Sequence, residues 1–234
     1  MAWRWPEIGP PSTHLLQGAA VVPAEQGIFL AETHRMHPDL CGWVSEAIYE
    51  GRLAAHPSCG QQALLLNAGF HPMLVPHGLR FHEMAHEGRS QRSDEEVAEV
   101  AAIWHDLMRH RWRDRHGIEH AITAADVLVV APWNVQVNAL RRALPDGARV
   151  GTVDRFQGQE AAVVLVSMTT SAADDIPRGV SFLFSRERLN VAVSRARCLT
   201  VVLASPKLLE VPCATVEELR LVNTLCHLHA WGAW

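Results

Sequence analysis

Asp126-Val127-Leu128-Val129-Val130-Ala131-Pro132-Trp133-Asn134-Val135-Gln136 decides the fold. Five consecutive apolar residues bounded by Asp126 and Pro132 do not alternate with polar ones, as a strand with one wet face would. The run therefore reads as a strand buried on both faces, followed by a helix over about 133–144. Working outward, residues 149–153 form a second short strand, and a turn around Phe156-Gln157 leads into an apolar strand over 161–168. A polar loop over 170–180, a helix over about 186–196 and a strand over 198–204 follow. Thr215 with Glu218 three residues later caps a last helix reaching about His229.

Toward the N-terminus, Ser93 and Glu96 form the same capping signature, and Val97, Val100, Trp104, Leu107 and Met108 follow at helical spacing. Residues 79–84 read as a strand. Residues 52–77, rich in Pro, His and Gly, read as irregular. Leu40, Val44 and Ile48 place one helix over 38–49, with Gly51 past its end, and Gly27-Ile28-Phe29-Leu30 before it reads as a short strand. Residues 1–13, with Trp3, Trp5 and three prolines, form an irregular lead, and 14–234 are taken as one domain. Apolar strands alternating with helices predict an α/β fold, a mostly parallel sheet covered on both faces. In such sheets ligands bind at the carboxyl ends of the strands, so chemistry is expected just after Leu30, Ala131 and Val150 and near Arg186.

Composition narrows the function. With 234 residues, 48% of them hydrophobic, the chain can bury a sizeable core, and a net charge of −4 excludes a polycation that binds nucleic acid by bulk charge. Neither Val127-Leu128-Val129-Val130-Ala131 nor the run from Ala161 to Val166 approaches the ~20 residues of a bilayer span. With no apolar signal core near Met1, a cytoplasmic protein without membrane partners is expected. Five cysteines, odd in number and without a CxxC pair, fit reduced thiols. Lys207 is the sole lysine and has no glycine beside it, so the sequence holds no GxxxxGK[ST] phosphate loop.

Four segments carry chemistry: Arg35-Met36-His37-Pro38, Ala131-Pro132-Trp133-Asn134-Val135-Gln136, Thr152-Val153-Asp154-Arg155-Phe156-Gln157-Gly158-Gln159-Glu160, and Leu189-Asn190-Val191-Ala192-Val193-Ser194-Arg195-Ala196. In this order they resemble superfamily 1 DNA/RNA helicases. The likeness is to the second, C-terminal RecA-like domain of the group that contains the nonsense-mediated-decay and replication helicase-nuclease enzymes, and it covers about 14–229. It implies a RecA-like P-loop NTPase-type fold lacking its own Walker A loop, and a role as the second motor domain of an ATP-dependent helicase or translocase. ATP and Mg²⁺ would be held jointly with a first RecA-like domain, which a separate gene could encode, and the chain alone is expected to be inactive. The other expected partner is single-stranded DNA or RNA. A rival of another class is a non-catalytic remnant that binds nucleic acid or a protein through the same surface.

By the resemblance, Arg35 and Arg195 meet the γ-phosphate, with Arg195 as arginine finger; a guanidinium suits this because it offers a planar fork of donors and keeps its charge. Glu160 would accept from the nucleotide ribose, with Gly158 and Arg197 beside the nucleotide. Thr152, Gln157, Pro132, Trp133, Asn134 and Gln136 would grip a strand without reading it. Trp133 either stacks on a base or packs against the sheet, and Asp154 is expected to cap the strand-to-helix turn. Thr33 stands where much of the family has glutamine.

No metal site is expected. His82-Glu83-Met84-Ala85-His86 matches HExxH, but Gly78 and Gly88 leave room for little helix, and the alternation suits a strand. Among 14 histidines, the pairs His34-x-x-His37 and His56-x-x-Cys59 read as chance. The basic run from Arg109 to Arg115 reads as the solvated last turn of a helix.

Overall fold

The computed structural model describes residues 27–232; the irregular lead expected at 1–13 lies outside them. Its centre is a five-stranded sheet of β4 (Gly78–Glu83), β10 (Ala196–Ala204), β9 (Ala161–Ser167), β7 (Val127–Val130) and β8 (Arg149–Gly151), side by side in that order. Every pairing in it is parallel. All residues of β7 and β9 are buried. Alternate side chains serve opposite faces: Leu128, Val130, Val164 and Val166 join one apolar core, and Val127, Val129, Val163 and Leu165 join the other.

Helices cover both faces. The first core is closed by α1 (Pro38–Tyr49), the one-turn α4 (Val180–Leu183), α5 (Arg186–Val193) and α6 (Val216–Gly232). The second is closed by α2 (Asp94–Leu107) and α3 (Asn134–Ala143). Local chemistry fixes their ends. Thr215 Oγ1 accepts from the Glu218 N–H at 3.1 Å while Glu218 accepts from the Thr215 N–H at 3.2 Å, a reciprocal cap for α6. After Tyr49 the backbone turns left-handed at Glu50 and Gly51, which ends α1 as the glycine suggested. The far end of α6 rests directly on β4: a Cβ on Gly232 would stand 2.5 Å from Leu79 Cδ2 and 2.8 Å from Phe81 N.

Several elements differ from the sequence reading. Residues 27–30 form no strand; Ile28 and Leu30 are exposed, and pairing begins only at β1 (Glu32–Thr33), which lies parallel to β2 (Ala54–Ala55). Residues 52–77 contain β2, a 3₁₀ turn at Pro57–Gln61 and β3 (Ala63–Leu65). The basic run is not a helix terminus. Its residues Arg111–Arg113 form β5, pairing antiparallel with β3 and β6 (Glu119–Ala121). Trp112 is 4% exposed and joins the second core while Arg111 and Arg113 ion-pair with Glu119, so alternation across a half-buried strand overrides the helix reading. The helix expected to reach 196 stops at Val193, because Ala196 already belongs to β10.

Candidate functional site

Glu160, Arg195 and Arg197 lie where β9 and β10 begin, not where they end, so the expectation of carboxyl ends fails for them. Arg35 reaches the same amino rim from the turn between β1 and α1. Its Nε donates to Glu160 Oε2 at 2.6 Å and its Nη1 to the Ser194 carbonyl at 3.1 Å. From the other side Arg197 Nη2 donates to Glu160 Oε1 at 2.5 Å. Burial alone would raise the Glu160 pKa; the hydrogen bonds and charges of Arg35 and Arg197 outweigh it, and its carboxyl titrates below the ordinary value. Arg195 completes the group. Burial first, and then the charge of Arg35, lower its pKa, and its Nε is buried without a hydrogen-bond partner.

Arg35, Glu160 and Arg197, but not Arg195, line a cleft of about 540 Å³ together with Glu32, Thr33, His34, Gln62, Asp114, Arg115 and His116. The backbone of Arg35 is held on both sides: its N–H donates to Thr33 Oγ1 at 3.3 Å, and its carbonyl accepts from the buried Gln62 Nε2 at 2.7 Å. His37 ties the segment to β10 through its N–H and the Arg197 carbonyl, 2.8 Å.

At the carboxyl rim the loops after β7 and β8 converge. A smaller pocket of about 190 Å³ is lined by Pro132, Asn134, Thr152, Asp154, Arg178 and Arg188 over an apolar floor that includes Val130, Val166 and Leu183. Trp133 is 4% exposed; its indole N–H donates to Thr170 Oγ1 at 3.3 Å and its ring stacks on Phe182 with centroids 4.7 Å apart. It packs, and does not offer an open face for a base. The Arg188 guanidinium covers the Phe182 ring at 3.9 Å.

Gln136 does not reach the surface. It is fully buried, accepts from the Ser93 N–H at 3.0 Å and donates to the Ser93 carbonyl and to Ser167 Oγ at 3.1 and 2.9 Å, so its expected strand contact gives way to a structural one. Gln157 and Gly158, both exposed, form the turn that enters β9; Gly158 has φ 77, a conformation a side chain would strain. Thr152, not Asp154, occupies the position that starts the short 3₁₀ turn Val153–Phe156.

Against known proteins, the family described as AAA domain matches residues 13–207. The chain belongs to this family. Over 192 residues, 77% of the chain, it is 30% identical to the rat DNA-binding protein SMUBP-2, of which it spans 18%. It is 32% identical over 193 residues to the human RNA helicase Mov10l1, again 77% of the chain, and spans 15% of that protein. Among solved structures it is similar to the arterivirus nonstructural protein 10 helicase at 16% identity and a TM-score of 0.31, covering 74% of this chain and 25% of that one. The chain thus spans less than a fifth of these curated relatives.

In this AAA domain chain the sequence missed several site residues. Arg115, whose Nη1 donates to the His34 carbonyl at 3.1 Å, sits in the basic run and was visible as a charge, not as a wall of the cleft. Gln62 gave no signal at all. Arg178 and Phe182 lie in the stretch read as polar loop and at the helix start that follows. The HExxH match lies on β4 and beyond: His82 bonds Glu99 at 2.7 Å, whereas His86, fully buried, bonds Glu96 at 2.9 Å and Ser171 at 2.7 Å. The two rings therefore serve different carboxylates. Half of the expected capping box forms, the Glu96 N–H donating to Ser93 Oγ at 3.1 Å; the Ser93 N–H goes to Gln136, and the Glu96 carboxylate instead accepts from the Thr169 N–H at 2.9 Å, holding a non-glycine residue at φ 72. All five cysteines are free, and among the described residues no helix is long and apolar enough to cross a membrane.

Proposed function

We propose that the chain is the second motor domain of an ATP-dependent nucleic-acid translocase of the superfamily 1 helicase type. Family membership and the helicase-named relatives support a helicase-type domain. One observation carries the finer reading: Arg35, held on the Glu160 carboxylate, and Arg195, 160 positions away in the sequence, come close enough for the charge of one to lower the pKa of the other, with the Arg195 Nε buried and unpartnered. Guanidiniums so placed fit a phosphate, whose oxygens would satisfy the orphaned donor.

ATP would supply the transferred γ-phosphoryl, and Mg²⁺ positive charge that offsets the negative charge of the phosphates. Arg195 then serves as arginine finger and Arg35 as the second γ-phosphate donor. Glu160, released by its arginines, accepts from the ribose, with Gly158 and Arg197 alongside. The charges lining the cleft balance as they stand, Arg35, Arg115 and Arg197 against Glu32, Asp114 and Glu160. Nucleotide binding by the chain alone is accordingly weak, and the β- and γ-phosphates need the cradle of a first RecA-like domain. Single-stranded DNA or RNA runs along the carboxyl rim past Pro132, Asn134 and Thr152, with Gln157 on the turn that leads back to Glu160.

The test is an ATPase assay with and without single-stranded nucleic acid. The chain alone is inactive; adding a first RecA-like domain of the family restores turnover, and Arg195→Ala then removes about 10³- to 10⁵-fold of it. Turnover by the chain alone that survives Arg195→Ala refutes the reading. Strand binding without any restored turnover favours the non-catalytic remnant.

A further inference from the structure

At the mouth of the amino-rim cleft the short β1–β2 ladder gathers three donors that neither histidine pair in the sequence suggested. The strands pair in parallel, Glu32 opposite Ala54 and Thr33 opposite Ala55, and the His56 N–H donates to the Thr33 carbonyl at 2.9 Å, which carries the pairing one step further. Side chains two apart on a strand share a face. Glu32 and His34 are two apart, and His34 Nε2 stands 3.2 Å from Glu32 Oε1. The His34 and His56 rings stack with centroids 4.4 Å apart, and one donor atom from each of Glu32, His34 and His56 lies within 4.8 Å of the others.

We propose that Glu32, His34 and His56 form a binding site for a zinc-class divalent cation. Two imidazoles and one carboxylate suit Zn²⁺ or Co²⁺; Mg²⁺ prefers an all-oxygen octahedron. Ligands around a tetrahedral zinc stand about 3.4 Å apart at bond lengths near 2.1 Å. Rotation of the half-exposed Glu32 and His34 side chains closes the difference. His56 Nδ1 accepts from the Ser58 N–H at 3.2 Å and lies 2.8 Å from the Ser58 hydroxyl; a metal on Nε2 moves the ring proton to Nδ1, which then donates to that hydroxyl in place of accepting from the N–H. Cys59 stays outside the set: it is buried, and burial raises its pKa, so it remains a neutral thiol. Three protein ligands leave one position open, and Glu32 and His34 line the cleft, so that position adjoins it.

A second grouping, His37, Asp39 and His77, has no such capacity. His37 is buried, and its ring is engaged twice, Nδ1 by the Asp39 N–H at 3.2 Å and the ring again by the Gly60 backbone, whereas the Ser58 contacts of His56 engage Nδ1 alone.

The site is tested on the full, untagged chain, stripped with EDTA and titrated with Co²⁺ followed by visible absorption, then with Zn²⁺ by calorimetry. One equivalent binds with a tetrahedral cobalt spectrum. His34→Ala and His56→Ala each weaken it at least about tenfold, and His116→Ala, an exposed histidine of the same cleft outside the triad, leaves it unchanged. Glu32→Gln repeats the test at an exposed position that keeps its shape should a histidine variant fail to fold. Absence of a saturable equivalent, equal binding by the triad variants, or loss on His116→Ala overturns the assignment.

Discussion

Where β9 and β10 begin, Arg35 and Arg197 hold Glu160 with their side chains about a third open to solvent, and Arg195 stands beside them; at the end of β9, the acidic side chain of Glu96 has no exposure and is enclosed by His86, Ser167 and Thr169. Both rims concentrate polar groups, yet they use them differently. At the amino rim the carboxylate is held by arginines that can exchange it for another anion without leaving a buried group unpaired. Around Glu96 every bond is part of the interior, and its loss leaves an N–H or a carboxyl group stranded in a dry place. Open charge points to ligand exchange, enclosed polarity to the shaping of a loop.

The sharpest way to break this comparison is to substitute each rim separately. Arg35→Ala is expected to lower the reconstituted ATPase by about 10³-fold while leaving affinity for single-stranded nucleic acid unchanged. Arg188→Ala at the carboxyl rim is expected to weaken strand binding and reduce its log–log salt slope by about 1. Fluorescence anisotropy over a salt series reads the second effect, and equal losses of both activities in both variants would erase the distinction between the rims.

Smaller, but still decisive for the enclosed rim, is Gln136→Ala. It strands the Ser93 N–H and frees the Ser167 hydroxyl, and should cost about 2–4 kcal/mol in urea unfolding. A variant of unchanged stability that binds strands less well would return Gln136 to the surface role its motif suggests.

The smallest effect concerns the base of the amino rim. Burial first, and then the neighbouring His77, lower the His37 pKa from 6.5 to about 4. The unfolded chain thus binds this proton more readily than the folded one, so the contribution is complete above about pH 6.5 and is lost as pH falls toward 4. Thermal melts should show stability declining through that window by at most about 3 kcal/mol, and the decline should shrink in His37→Gln. An identical profile in the variant would assign the acid sensitivity elsewhere.

What could be read in the sequence follows from the same contrast. Val127-Leu128-Val129-Val130 and the long run of β9 are legible because a strand buried on both faces has no freedom to include a charge. β3, β5 and β6 were not, since each has three residues and β5 places two arginines beside one tryptophan, a pattern a helix terminus shares. Arg35, Glu160 and Arg195 could be named from their motifs, but their position at the strand starts needed the order of the sheet. Gln62 and Arg115 could not be found at all, because folding of the intervening chain alone brings them to the Arg35 turn.

β9 itself has a mechanical consequence. Its seven buried residues, at about 3.3 Å each, form a strut about 23 Å long between Glu160 and the loop at Met168 that flank it, clamped by β10 on one side and β7 on the other. A packed interior compresses little. The cleft and the pocket thus stand at a fixed gauge from one another within this domain, and whatever travel a bound strand undergoes must come from movement of the whole body and not from stretching within it.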